Sequence, residues 1–332
     1  MPGPPVPVPW FDLASLAKPL VTAPLALAKL DLDLDRRPQL GFERRPGPLT
    51  VRQLLSHSAG LPPWLPFTGE PLARQLERGF PAGAHPKLQP GTPGVSLYSD
   101  LGYRLLAELL ELESGRPFAV LGAENSGLAA APWPSAPPFA PQGPDAEMWR
   151  LAEPALAFPA RDPYLPNDAN ARAGMRGHAG FAASPPVLRA ALRRWLASGL
   201  PARMAVDAAR GADGSRWGLG LQRALTGPGR FGQLLAALPP GIGGLHLLVQ
   251  NATTLSPPAP ALAEPPGEPS PFWFHLGFTG PALFFRPRDG MCVALLAHRV
   301  GPSGELLDAE QLRARRWEVL AAEVARLQRD HG

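Results

Sequence analysis

The sequence holds one cysteine, Cys292, in 332 residues. A lone thiol makes no intrachain disulfide and no cysteine-type zinc site. Its apolar neighbours in "GMCVALLAH" mark it as a buried strand residue, inert rather than reactive. No apolar run reaches the length of a membrane span. The opening "MPGPPVPVPW" lacks the basic and apolar regions of a secretory leader. As written the chain reads as cytoplasmic, and as periplasmic or secreted if its true start lies upstream. Runs of like charge are also missing. The net charge of +4 is spread over scattered arginines such as Arg36-Arg37 and Arg193-Arg194, with no basic stripe interleaved with aromatics, so nucleic acid is not an expected partner. The seven histidines (His57, His85, His178, His246, His275, His298 and His331) show no metal-ligand spacing, and no metal is expected. There is no G-x-S-x-G elbow and no glycine-rich phosphate loop followed by lysine, which argues against an α/β-hydrolase and a nucleotide cofactor. No cofactor is implied.

Proline (45) and glycine (35) are abundant. They sit mostly between apolar periodic segments, as expected of long loops in a folded protein. "FDLASLAKPLVTAPLALAKLDLD" predicts a helix starting near Asp12 or Ala14, with Asp12 able to cap it and Pro19 and Pro24 bending it. "LTVRQLLSHSAGLP" predicts a short helix begun by Thr50 and stopped by Gly60 and Pro62. In "YSDLGYRLLAELLELESG", Leu101, Leu105, Leu106, Leu109 and Leu112 line one helical face, and Gly115 ends it. Ser184 opens another helix, and the tail places Trp317, Leu320, Val324 and Leu327 on one side of a long one. Strand candidates gather late: "GGLHLLVQN", "FWFHLGFTG", "ALFFRP" and "MCVALLAH". A proline-rich tract at about 252–270 reads as a loop, and a loop-rich tract runs from about Gly122 to Arg172. The predicted class is α+β: a single domain over 1–332, with 15–230 mostly helical and 231–332 an antiparallel meander closed by a helix.

Lysine is scarce, with Lys18, Lys29 and Lys87 against 29 arginines. Lys18 nevertheless stands three positions after Ser15, which on a helix puts both on nearly one face, one turn apart. A serine hydroxyl is a weak nucleophile until a neighbour takes its proton. An amine within reach can do so, or can hold the charge of a second base. Helix-start N–H groups suit a developing oxyanion. Alone, Ser-x-x-Lys is a weak signal, equally a surface serine beside a snorkelling lysine.

Two further triplets accompany it: Tyr98-Ser99-Asp100, with tyrosine also rare (Tyr98, Tyr103 and Tyr164), and His275-Leu276-Gly277. With "FDLASLAKPLVT", "LTVRQLLSHSAGLPPW", "LQPGTPGVSLYSDLGYRLLAELLELESG", "PNDANARAGMRGHAGFAAS", "FHLGFTGPALFFRP" and "LLAHRVGPS" in that order, the chain resembles the β-lactamase-related serine hydrolases, which include class C enzymes, esterases and low-molecular-mass penicillin-binding proteins. The resemblance covers residue 10 to about 320, weakly over 116–160 and 200–270. It implies an antiparallel sheet flanked by helices, with a mostly helical inserted region and the site in the cleft between. It implies Ser15 as the acylated nucleophile, Lys18 as its electrostatic partner and Tyr98 as the base that takes the Ser15 proton and returns it to the leaving group. Asp100, His275 and Gly277 would bind substrate or shape the field, and the backbone N–H groups of Ser15 and Phe278 would form the oxyanion hole. His57 and His178 read as scaffold residues. The implied activity is hydrolysis of an ester, β-lactam or D-amino-acid amide or peptide through an acyl-enzyme. The alternative is a catalytically inactive sensor that binds such a molecule.

Two departures carry expectations. Only 14 residues precede Ser15, so the strands such relatives carry there are expected to be missing. The sheet edge they would cover is then bare and open to a second copy, a homodimer. Asp100 stands where the resemblance implies Asn or, in one branch, Asp, and it offers acceptors only. Beside Lys18 it should favour the ammonium and oppose a phenolate on Tyr98.

Overall fold

The computed structural model describes residues 10–65, 68–78, 90–132, 166, 168–174, 176–224, 244–249, 272–297 and 307–331. The tract expected as a loop at 252–270, and most of that from Gly122 to Arg172, lie outside the described residues. The helices are α1 (Ala23–Lys29), α2 (Arg37–Leu40), α3 (Val51–Leu55), α4 (Leu72–Arg78), α5 (Asp100–Ser114), α6 (Phe118–Ser126), α7 (Ala169–Arg172), α8 (Pro185–Ala197), α9 (Leu200–Met204) and α10 (Ala309–His331). The strands are β1 (Phe11–Asp12), β2 (Val95–Ser96), β3 (Ala129–Ala130), β4 (Phe181–Ala183), β5 (Ala209–Gly211), β6 (Arg216–Trp217), β7 (Gln222–Arg223), β8 (Leu245–Val249), β9 (Trp273–Leu276), β10 (Ala282–Arg286) and β11 (Met291–Leu296). The class is α+β, as the sequence predicts. No described helix is long and apolar enough to cross a membrane.

The main sheet has eight strands in the order β2-β5-β6-β7-β9-β10-β11-β8, and β1, β4 and β3 form a small second sheet. All four late strand candidates are strands. The chain from β9 to β11 is the expected antiparallel meander, but β8 lies parallel to β11, with Cys292 opposite Leu245. Among the described residues β8 is therefore the end strand next to β11, and β2 is the strand at the other end. The short strands β5, β6 and β7, in a stretch read as mostly helical, extend the sheet on the other side.

Alternation explains the layering. Phe284 and Val293 face α10, where Leu320, Val324 and Leu327 are buried, each contributing about 2 kcal/mol of transfer free energy. Phe285 and Cys292 face the other way into the larger core, where Phe285 meets Trp195 of α8 edge to face at 5.6 Å between centroids. Burial raises the pKa of the Cys292 thiol, consistent with an inert residue.

The local signals for helix ends hold in part. Thr50 and Gln53 form a capping box on α3, and Gly115 ends α5 in the left-handed conformation. Leu112 is 58% exposed, although its angular position matches Leu101 and Leu105; Glu111, Leu112 and Glu113 are all exposed in this last turn. Helix α3 stops at Leu55, short of Gly60, because His57 turns the chain into the left-handed region with φ 57°.

Candidate active site

The segment expected to be one bent helix is three pieces. Asp12 Oδ1 accepts the N–H of Ala14 at 2.8 Å, and Ala14 sits at φ 45°, a strained value for a residue with a Cβ. This tight turn opens a 3-10 turn at Ala14–Leu16 that carries Ser15. A π-helical turn at Lys18–Thr22 follows, and then α1. Pro19, which has no N–H to give the ladder, sits in the π turn.

Ser15 Oγ accepts from Lys18 Nζ at 3.1 Å and from Tyr98 Oη at 3.0 Å. Tyr98 comes from the loop between β2 and α5, 83 residues away in sequence. Lys18 is fully buried. Its Nζ also lies 2.7 Å from Asp100 Oδ1, at the first position of α5, and 3.1 Å from the His178 carbonyl. Three acceptors thus surround a group with three hydrogens. Burial alone would lower the Lys18 pKa, but Asp100 and Tyr98 outweigh it and hold the ammonium above its ordinary value. Burial raises the Tyr98 phenol; Lys18 opposes that rise and Asp100 adds to it, so the ring keeps its proton at neutral pH. The electrostatic expectation for Asp100 is met at Lys18 itself.

His178 Nε2 pairs with Asp168 Oδ1 at 2.9 Å. Burial alone would raise the Asp168 carboxyl, but His178, the Ala171 N–H and Lys18 hold it low. Asp100, Asp168 and His178 bring their ligand atoms within 4.8 Å of one another, the one group of described residues with metal-like spacing. The Lys18 ammonium already supplies the positive charge between Asp100 and the His178 carbonyl. Gly177 makes this approach feasible: it lies at φ 98°, and a Cβ there would sit 2.1 Å from the Tyr103 carbonyl. Its own carbonyl accepts from Thr22 Oγ1 at 2.5 Å.

His275, on β9, stacks obliquely 6.0 Å from the Tyr98 ring. Burial, with Lys18 nearby, pushes its pKa down to about 3, so it is a neutral imidazole. Trp217 closes the box, 5.7 Å from Tyr98 and 4.6 Å edge-on to His57. The turn after β9 abuts the segment that carries Ser15. A Cβ on Gly277 would be 3.0 Å from the Leu13 carbonyl, and Thr279 Oγ1 donates to the Asp12 carbonyl at 2.9 Å. Arg316 of α10 donates into this turn, to the Gly277 carbonyl, to that of Gly280 at 2.9 Å and to that of Pro281 at 3.2 Å. Phe278, between them, is 42% exposed.

Ser15, Lys18, Tyr98, Asp100 and His275 therefore come together, with Gly277 against the segment before Ser15 and Phe278 in the turn that follows. Sequence reasoning missed Asp168, Trp217 and Arg316 and took His178 for scaffold. "PNDANARAGMRGHAG" did single out the segment holding Asp168 and His178, but nothing local marks Arg316, whose partners are backbone carbonyls.

The sequence profile of the family described as Beta-lactamase matches residues 7–316. No curated protein matches the chain by sequence. Among solved structures, SurE with D-Leu is 22% identical with a TM-score of 0.55; the match covers 98% of this chain and 65% of that one, so the chain spans about two thirds of its length. The D-amino acid amidase of Ochrobactrum anthropi SV3, complexed with L-phenylalanine amide, is 15% identical, with 98% and 86% coverage and a TM-score of 0.59. A class C beta lactamase from Rhodobacter sphaeroides is 17% identical, with 97% and 87% coverage and a TM-score of 0.55. These structures share the fold, a large mostly antiparallel sheet with helices.

Proposed function

The chain belongs to the beta-lactamase family, and on that premise we propose that it is a serine hydrolase that cleaves a carboxylic ester or amide through an acyl-enzyme on Ser15. One observation carries the reading: Ser15 Oγ lies within hydrogen-bond reach of both Tyr98 Oη and Lys18 Nζ, the geometry a nucleophile and its proton partner require.

The protonation states support a shuttle rather than a free base. Tyr98 takes the Ser15 proton as it passes its own to the leaving oxygen or nitrogen, so no phenolate accumulates. Ser15 Oγ bonds the acyl carbon and the leaving group departs protonated. In the second half Tyr98 takes a proton from water and returns its own to Ser15 Oγ, and the acid is released. Lys18 stays an ammonium throughout. It donates to Ser15 and to the His178 carbonyl and is ion-paired with Asp100, so it acts as a fixed positive charge and does not grip the substrate. The N–H groups of Ser15 and Phe278 would receive the oxyanion, the second from the turn that Arg316 fastens. D-Amino-acid amides, simple esters and β-lactams are the substrates to compare, since amidase and lactamase relatives share the fold.

The test is hydrolysis of a p-nitrophenyl ester together with fluorophosphonate labelling and peptide mapping. One label on Ser15, abolished along with turnover by Ser15→Ala, is the expected result. Labelling that survives this change, or a wild-type protein that neither labels nor turns over, overturns the reading.

A further inference from the structure

His57 is 3% exposed and holds a left-handed backbone with φ 57°. Residues with a Cβ adopt that conformation at a cost, and where it persists the surroundings enforce it. Both chain neighbours of Tyr98 are fastened to this one residue. The Leu97 N–H donates to the His57 carbonyl at 2.8 Å. The Ser99 N–H donates to His57 Nδ1 at 3.1 Å. Between these two bonds the imidazole lies against the phenol of Tyr98, with centroids 4.6 Å apart and planes 34° apart. Trp217 meets the ring edge-on at 4.6 Å, and Tyr103 flanks it at 5.2 Å.

The bond from Ser99 fixes the tautomer, because an Nδ1 that accepts leaves the proton on Nε2. That Nε2 is buried and finds no hydrogen-bond partner among the described residues. Burial, with Lys18 and His275 nearby, keeps the ring neutral, which preserves Nδ1 as an acceptor.

We propose that His57 is a positioning residue that holds the Tyr98 phenol on Ser15, by fastening the backbone on both sides of Tyr98 and seating its ring. This rests on the reading of Tyr98 as the proton partner of Ser15. His57 touches neither Ser15 nor substrate in this role; it acts through Tyr98.

The test uses His57→Gly, which removes ring and acceptor yet accepts the left-handed backbone freely. His57→Asn is the conservative variant, since its Oδ1 replaces Nδ1 and asparagine tolerates that backbone. Two esters with one acyl group are compared: a p-nitrophenyl ester, whose leaving group departs unprotonated, and an alkyl ester, which needs the proton from Tyr98. Turnover is referred to the fraction of protein that fluorophosphonate titrates. For His57→Gly, kcat on the alkyl ester should fall about 100-fold, the cost of a small misplacement of a reacting group. The fall on the p-nitrophenyl ester should be about tenfold smaller, with KM nearly unchanged. His57→Asn should recover most of the alkyl-ester rate. In a Tyr98→Phe background His57→Gly should cost nothing more, because residues acting as one unit are not additive.

Equal losses on both esters, or an additive loss in the Tyr98→Phe background, make His57 a scaffold residue and overturn the proposal. If His57→Gly fails to fold, His57→Gln decides, since its amide oxygen lies one bond beyond Nδ1. It should show the same leaving-group-dependent loss, and equal losses again overturn the proposal. A wild-type protein that neither labels nor turns over defeats the hydrolase reading instead, whereas an active protein that Tyr98→Phe disables but His57→Gly spares defeats only this one.

Discussion

The Lys18 ammonium and the Asp100 carboxylate are 2.7 Å apart, with Lys18 fully enclosed and Asp100 18% exposed at its side chain. Neither could be buried there alone at low cost: a charge taken out of water must be matched. Asp100→Asn should leave the ammonium with the Ser15 oxygen and the His178 carbonyl only. Burial then acts on Lys18 with less opposition, and its pKa should fall. In the native protein the raised Lys18 pKa contributes stability that is present below its unfolded value and lost as pH rises through the folded one. The variant should therefore lose about 3 kcal/mol at neutral pH, and the alkaline limb of its kcat profile should move toward neutrality. Urea melts and a pH–rate series measure both; an unmoved alkaline limb would show that the carboxylate does not control Lys18.

Lys18→Arg keeps the charge but replaces a compact three-donor group with a planar fork. Three acceptors converge on one nitrogen at 2.7–3.1 Å in a fully buried site. Turnover should fall at least ~100-fold, and the rate of Ser15 labelling with it. Near-normal labelling would place Lys18 outside the machinery.

Arg316→Ala releases three carbonyls of the turn at 277–281. The Phe278 N–H should then be poorly aimed, and the second-order rate of fluorophosphonate labelling should drop about 100-fold, comparable to loss of one oxyanion donor. Arg316→Lys, which satisfies fewer carbonyls, should fall between. A variant that labels at the wild-type rate would separate this turn from the oxyanion.

His275 is held neutral, with its pKa pushed down to about 3 from an ordinary 6.5. Between those values the unfolded chain binds a proton that the folded one refuses, so stability rises with pH across the window. Melting temperature should drop steadily as pH falls from 6.5 toward 4, because this group's contribution to stability declines by up to about 1.4 kcal/mol per pH unit. His57, pushed down by burial, adds to it in the same direction. His275→Gln should flatten the decline. A melting temperature independent of pH over this range would show that the imidazole is protonated in the folded state.

Ser15, Lys18 and Tyr98 were legible because chemistry constrains both residue type and spacing, and because lysine and tyrosine are rare enough here to stand out. Helix α5 was legible from its leucine period and its glycine stop, yet Leu112 escapes burial because a period gives direction, not the presence of a neighbour. Strand β8 was legible as a strand and illegible as a parallel one, since pairing direction depends on a partner far along the chain. The three-part segment around Ser15 was hidden because an Asx turn and a π turn leave apolar spacing almost intact. His57 falls within the helix expected to run to Gly60, and its two bonds to the flanks of Tyr98 span about 40 residues and carry no local signature. Arg316 recognises carbonyls, which every residue offers, so no motif could announce it.

Residues 12 and 279 are joined by a hydrogen bond, and residue 316 secures the turn beside them. During synthesis these partners reach the exit tunnel far apart in time. At about 5–20 residues per second, Ser15 is made roughly 15–60 s before Arg316. Through that interval the serine, lysine and tyrosine have no fastened turn at 277–281 to work against. A nascent chain, or one cut short before α10, should therefore be chemically silent, and reactivity should switch on only when the last helix docks.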